Sequence, residues 1–126
     1  MKQGPIIDEA KQLAGKAHEG QVRKYSGLPY IIHPVEVATI VQTVEGHTNE
    51  MIAAALLHDV VEDTDYTLED IAEAVSPEVA ELVKGLTEVS KPEDGNRKTR
   101  KAMDRDFLAQ QNADVKTIKY ADIISN

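Results

Sequence analysis

An apolar run from Met51 to Val61 is interrupted by one ionisable doublet, His58-Asp59, and is followed at once by Glu62-Asp63. A run this apolar belongs inside a core, where ionisable side chains are kept only when paired or coordinated. The remaining chain must therefore wrap the run with apolar faces and also bring partners to the doublet. A neutral imidazole beside a carboxylate, with two more carboxylates one helical turn on, is a donor set suited to a divalent metal. The run thus predicts a buried helix over 50–61 that ends in a metal site with an acid/base pair beside it.

Composition narrows the function classes. A chain of 126 residues, 41% of them hydrophobic, has material for one core and reads as a single domain over 1–126. No stretch approaches the roughly 20 apolar residues of a membrane span. The opening Met1-Lys2-Gln3-Gly4-Pro5 lacks the apolar core of a signal peptide, and the lack of cysteine removes disulfides and thiolate zinc sites. A cytoplasmic location is the default expectation. The formal net charge of -8 argues against nucleic acid or an anionic membrane as partner. A phosphorylated small molecule remains open, because the basic residues are grouped: Arg23 with Lys24, and Arg97, Lys98, Arg100, Lys101 and Arg105.

Helical periodicity runs through the chain, and the predicted class is all-α, a compact bundle of about six or seven helices. Pro5 can open a first helix with Ile6, Ala10, Leu13, Ala14 and Ala17 as its apolar stripe. Residues 20–34 read as a loop, after which Pro34 opens a second helix carrying Val37, Ile40, Val41 and Val44. Asn49 can cap the third helix, Thr67 and Asp70 suit a capping box, and Ser76-Pro77 opens a helix with Val79, Leu82, Val83 and Leu86 inside. Lys91 to Asn96 reads as a mobile loop, and helices follow over about 97–110 and 114–125, with no hairpin. The last pattern is still running at Ile123 and Ile124, so the expectation is either a partner surface over that end or further helix in a longer chain.

On one continuous helix His58 and Glu62, and Asp59 and Asp63, stand four apart and share adjoining stripes. Carboxylates crowded at a helix C-terminus oppose the macrodipole and call for a compensating cation. Further ligands must come from elsewhere: His18, His33, His47 and Asp122 are the candidates. His33 is favoured because Ile32 and Pro34 restrict its backbone, and Asp122 because it is a charge inside the core-like stretch 118–123. His18 and His47 are read as structural or surface residues.

Three segments together resemble the HD-domain hydrolases of the RelA/SpoT type, most closely the small stand-alone alarmone hydrolases. They are Arg23-Lys24-Tyr25-Ser26-Gly27-Leu28-Pro29-Tyr30-Ile31-Ile32-His33-Pro34, then the stretch from Ala54 through His58-Asp59 and Glu62-Asp63 to Thr64, then Lys119-Tyr120-Ala121-Asp122 with Asn126. The resemblance implies an all-α fold and manganese-dependent removal of pyrophosphate from the 3′ position of ppGpp or pppGpp. It implies His33, His58, Asp59 and Asp122 as metal ligands and Glu62 with Asp63 as the catalytic carboxylates. Arg23, Lys24 and Ser26 would meet the guanine nucleoside, and Asn126 the nucleotide near the metal.

The second basic group, with Arg97 and Arg100, is a candidate for the distal phosphates, where guanidinium can grip bidentately. Ile123 stands where relatives carry a basic residue. Synthesis of alarmone is not expected, and homo-oligomerisation is left open. Two other readings are a hydrolase of a different nucleotide and a metal-stabilised binding module without turnover.

Overall fold

The computed structural model describes residues 4–23, 26–87 and 89–125. Its elements in chain order are α1 Gly4–Ala17, α2 Ile32–Gln42, α3 Asn49–Leu57, α4 Val60–Asp63, α5 Leu68–Ala74, α6 Pro77–Leu86, a 3-10 turn Pro92–Asp94, α7 Arg97–Ala109 and α8 Ala113–Ser125. Among the described residues there is no strand beyond an isolated antiparallel bridge between Val22 and Pro29, and the all-α expectation holds.

Helix α3 is the axis of the fold. All seven residues from Met51 to Leu57 are buried, as expected of a helix that is apolar on every side. It packs against α1, α2, α6 and α8. Leu56 and Leu57 are at most 1% exposed, and full burial of a leucine contributes about 1.5–3 kcal/mol. The stripes read on α1 and α6 face this axis: Ala10, Leu13 and Ala14 from one, Val79, Leu82 and Val83 from the other. Helix α7 lies outside it, with no buried residue, against α6 and α8.

Helix starts follow capping chemistry, with two corrections. Thr67 and Asp70 form the expected capping box, and Ser76 caps α6 with Pro77 in its first turn. The α3 cap is Thr48, not Asn49: its hydroxyl accepts the Met51 N–H at 3.2 Å. Helix α2 begins at Ile32, two residues ahead of Pro34. The N–H groups of Ile32 and His33 donate to Pro29 and Tyr30 carbonyls at 3.2 and 3.0 Å, so a tight turn feeds the helix and Pro34 occupies its first turn, where its missing N–H costs nothing.

Both segments read as loops carry backbone hydrogen bonds. Arg23 N–H donates to the Leu28 carbonyl at 2.7 Å and Tyr30 N–H to Gln21 at 2.8 Å, a small reversal that Gly27 makes possible at φ +72°. In the segment read as a mobile loop, Asp94 accepts the Lys91 N–H at 2.8 Å across the 3-10 turn.

Candidate metal centre

The predicted continuous helix over 50–61 breaks at the His-Asp doublet. Helix α3 ends at Leu57 and a separate turn, α4, starts at Val60. The cause is local: the His58 ring turns back so that Nδ1 lies 2.6 Å from the Ala55 carbonyl. Asp59 then adopts φ -102°, ψ -1° ahead of α4, and its carboxylate caps nothing. The break frees both side chains to point at the same place. It also places Glu62 and Asp63 on the single turn of α4 and no longer at the C-terminus of the long buried helix.

Four side chains from three regions meet at this break. His33 Nε2 lies 2.8 Å from Asp122 Oδ1 and 3.9 Å from Asp59 Oδ2. His58 Nε2 lies 3.1 Å from Asp59 Oδ2 and 3.2 Å from Asp122 Oδ1. Ligand atoms of His33, His58 and Asp59 all fall within 4.8 Å of one another. The first turn of α2, the end of α3 and the last turns of α8 each supply part of the cluster, and α3 packs on both other helices.

The outer partners set the ring tautomers. His58 Nδ1 must carry a proton to bond the Ala55 carbonyl. His33 Nδ1 lies 3.1 Å from Ser125 Oγ, whose own hydrogen goes to Glu36 Oε1 at 2.9 Å, so His33 Nδ1 is the donor there. Both Nε2 atoms therefore face carboxylate oxygens as lone pairs. Two lone pairs against two anions require a cation between them, either added protons or a metal ion. The residues fit a divalent ion: two imidazole nitrogens and two carboxylate oxygens, with outer partners that hold both rings in the ligating tautomer.

Electrostatics report the same demand. Burial alone would lower the pKa of His58, but hydrogen bonding to Asp122 and Asp59 outweighs it and lifts the imidazole to about 10. Burial would raise the carboxyl of Asp122, yet the two histidines hold it well below the usual range. Asp59 is lowered in the same way, against burial, chiefly by His58. Asp63 goes the other way: burial, then the Asp59 charge, raise it. Tyr30, raised by burial and then by its bond to Asp59, donates a short hydrogen bond to that carboxylate.

The remaining sequence candidates divide. Glu62 and Asp63 sit on the exposed turn directly after the cluster. Arg23 NH1 approaches Glu36 Oε1 at 3.9 Å, joining the outer network that begins at His33. Ser26 is exposed, its hydroxyl accepting the Leu28 N–H at 3.2 Å. Lys24 and Asn126 lie outside the described residues. Arg97 and Arg100 stand on peripheral α7, and among the described residues no ion pair joins either to the cluster. His47 is exposed, with Nδ1 2.8 Å from the Val44 carbonyl. His18, in contrast, is buried, and its ring lies 4.7 Å from that of Tyr30.

Tyr30, which bonds Asp59, was not picked out by the sequence, and His18, read as structural or surface, is buried against it. Signals for both existed. Tyr30 stands three residues before His33, and His18 extends the buried Ala10–Ala14 stripe by one more step of four.

The fold and this cluster define a class: all-α proteins that gather two imidazoles and two carboxylates at the broken end of a buried helix. A family model describing the HD domain matches residues 10–121. The guanosine-3′,5′-bis(diphosphate) 3′-pyrophosphohydrolase of Haemophilus influenzae is 49% identical over 79 residues, 63% of this chain and 11% of its own length. That of Vibrio cholerae is 46% identical over 101 residues, 78% of this chain and 14% of its own. A solved metazoan ortholog of SpoT, described as hydrolysing ppGpp with a role in starvation responses, superposes with TM-score 0.82. Its identity is 33%, over 95% of this chain and 67% of that one. The chain belongs to the HD-domain family, and it spans about an eighth of the length of these two bacterial relatives. No helix among the described residues is long and apolar enough to cross a membrane.

Proposed function

We propose that this chain removes pyrophosphate from the 3′ position of guanosine 3′,5′-bis(diphosphate) in a metal-dependent hydrolysis. The convergence of His33, His58, Asp59 and Asp122 beside the Glu62-Asp63 turn carries the reading. The resemblance to the two bacterial 3′-pyrophosphohydrolases and to the metazoan SpoT ortholog supports it and supplies the substrate.

The four ligands would hold one divalent ion, Mn2+ by the family resemblance, as the mixed nitrogen and oxygen donor set allows several divalent metals. Such an ion, when bound, lowers the pKa of a water and offsets charge on a phosphoryl oxygen. The chain's own groups do the rest. Ser125 with Glu36, and the Ala55 carbonyl, hold the two imidazoles in register. Glu62 and Asp63 handle protons, one taking a proton from the attacking water and one returning a proton to the departing ribose oxygen. Arg23, Lys24, Ser26 and Asn126 would hold the nucleoside, and Arg97 with Arg100 the distal phosphates. The cytoplasm, where such nucleotides occur, is the proposed location.

A nucleotide panel tests the proposal. Metal-loaded chain is incubated with ppGpp, pppGpp, GTP, and 3′- and 5′-nucleoside monophosphates, with pyrophosphate and orthophosphate release measured separately. Pyrophosphate from the 3′-substituted nucleotides alone is the expected result. Orthophosphate from the monophosphates, or metal uptake with every nucleotide left intact, overturns it in favour of another phosphohydrolase or of a binding module.

A further inference from the structure

His18 closes the inner stripe of α1 that Ala10 and Ala14 begin, and only 3% of it is exposed. Its Nδ1 lies 2.9 Å from Gln21 Oε1. A carboxamide oxygen only accepts, so Nδ1 carries the ring proton and Nε2 is left as a lone pair. That Nε2 is sealed from bulk solvent and has no protein hydrogen-bond partner among the described residues. A buried acceptor left bare is destabilising, and such groups are kept where ordered water or a ligand supplies the donor.

The surroundings say where that donor sits. The His18 ring packs on Tyr30 at 4.7 Å with a 39° tilt. Tyr30 in turn donates to Asp59 and also interacts with Asp63, which lies within electrostatic reach of His18. A line of rings continues inward, Tyr30 to His33 at 5.9 Å and His33 to His58 at 5.2 Å. His18 is thus one end of a line of four packed rings whose other end is the proposed ligand cluster, with Asp63 in electrostatic reach.

We propose that His18 is a positioning residue of this site: it wedges the Tyr30 ring, and its Nε2 accepts a hydrogen bond from a water held on the Asp63 side of the cluster. A water that donates one hydrogen to His18 Nε2 and the other to the Asp63 carboxylate turns its lone pairs toward the reacting phosphorus. That is the orientation an attacking water needs, and His18 makes or breaks no covalent bond in holding it. The inference deepens the hydrolase reading and rests on it for the use made of the water.

His18→Leu removes the lone pair at similar volume, and His18→Gln offers an acceptor again. His18→Leu is expected to lower kcat on ppGpp by about 10- to 100-fold, as loss of an outer partner does. KM should stay within about threefold, Mn2+ affinity should be unchanged and the melting temperature equal or higher, while His18→Gln recovers most of the lost kcat. A His18→Leu chain within twofold of wild-type kcat, or one whose loss His18→Gln does not reduce, overturns the role.

A second arm needs neither turnover nor a variant. Nitrogen NMR of the wild-type chain with diamagnetic Mg2+ should show His18 protonated on Nδ1, with Nε2 hydrogen-bonded and close to a long-lived water. A proton on Nε2, or no water contact, overturns the inference even if His18→Leu fails to fold. Wild-type chain that leaves ppGpp intact would remove the hydrolase reading, while the NMR arm still decides His18.

Discussion

Helices α3 and α7 bracket the range of environments in this molecule. Seven consecutive residues of α3 are buried, whereas thirteen residues of α7 include none that is buried. Any local opening of α3 disturbs contacts with four neighbouring helices, while α7 can shift against two. The proposed ligands His58 and Asp59 follow the end of the first kind of element, and Arg97 and Arg100 stand on the second. The contrast separates two tasks. Under the proposed function, coordination geometry would be fixed by the core, where small displacements are costly, and contact with a distal part of the substrate would fall to a more loosely held helix.

Four expected outcomes test that contrast. The largest is at the cluster: Asp122→Ala or His58→Ala should abolish metal binding by calorimetry and all turnover with it, and retained metal affinity would remove those side chains from the site. Next comes packing. Leu56→Ala, on the axis, should cost about 2–5 kcal/mol in urea unfolding, while Lys101→Ala, on the exposed face of α7, should stay within about 0.5 kcal/mol. Equal costs would mean that α7 is as tightly held as α3. Third, Ser125→Ala removes the acceptor of His33 Nδ1 and should weaken metal binding by about 10- to 100-fold without unfolding the chain.

The smallest effect concerns pH in the metal-free chain. The imidazole of His58 is raised in the folded state to about 10, above the roughly 6.5 of an unfolded histidine. Its contribution to stability is therefore complete below that lower value and is lost as pH rises toward about 10. Asp59 and Asp122 are lowered, so their contributions are present above the ordinary carboxylate range and are lost on acidification. Urea midpoints in EDTA should fall between pH 6 and 10, and saturating metal, which takes the place of the His58 proton, should flatten that fall. The same alkaline fall with and without metal would show that the ion does not displace the proton.

Much of this was legible in the order of residues. The apolar run over 51–57, the Thr67–Asp70 box and the Ser76-Pro77 start are local signals, and local physics decides them. The residue types of the cluster were legible too, because His58, Asp59 and Asp122 each interrupt a core-like stretch and need a reason to be there. The break between α3 and α4 was not. It depends on the His58 ring bonding the carbonyl of Ala55 in place of an ordinary helical turn, a choice that 3.6-residue periodicity does not record. The start of α2 at Ile32 was hidden by the usual reluctance of the residue before proline to be helical, which the incoming turn overrides. His18, read as structural or surface, is structural: its spacing from Ala14 puts it on the inner face.

The hydrogen bond between His33 and Ser125 joins positions 92 apart, and the one from Ser125 to Glu36 joins positions 89 apart. Closing so wide a loop is entropically slow. In synthesis, the proposed ion-binding geometry waits for α8, which follows all the other elements in chain order. Under the proposed function, a polypeptide halted before α8 could bury much of α3 and still be inert toward the ion, so acquisition of metal would report the docking of α8.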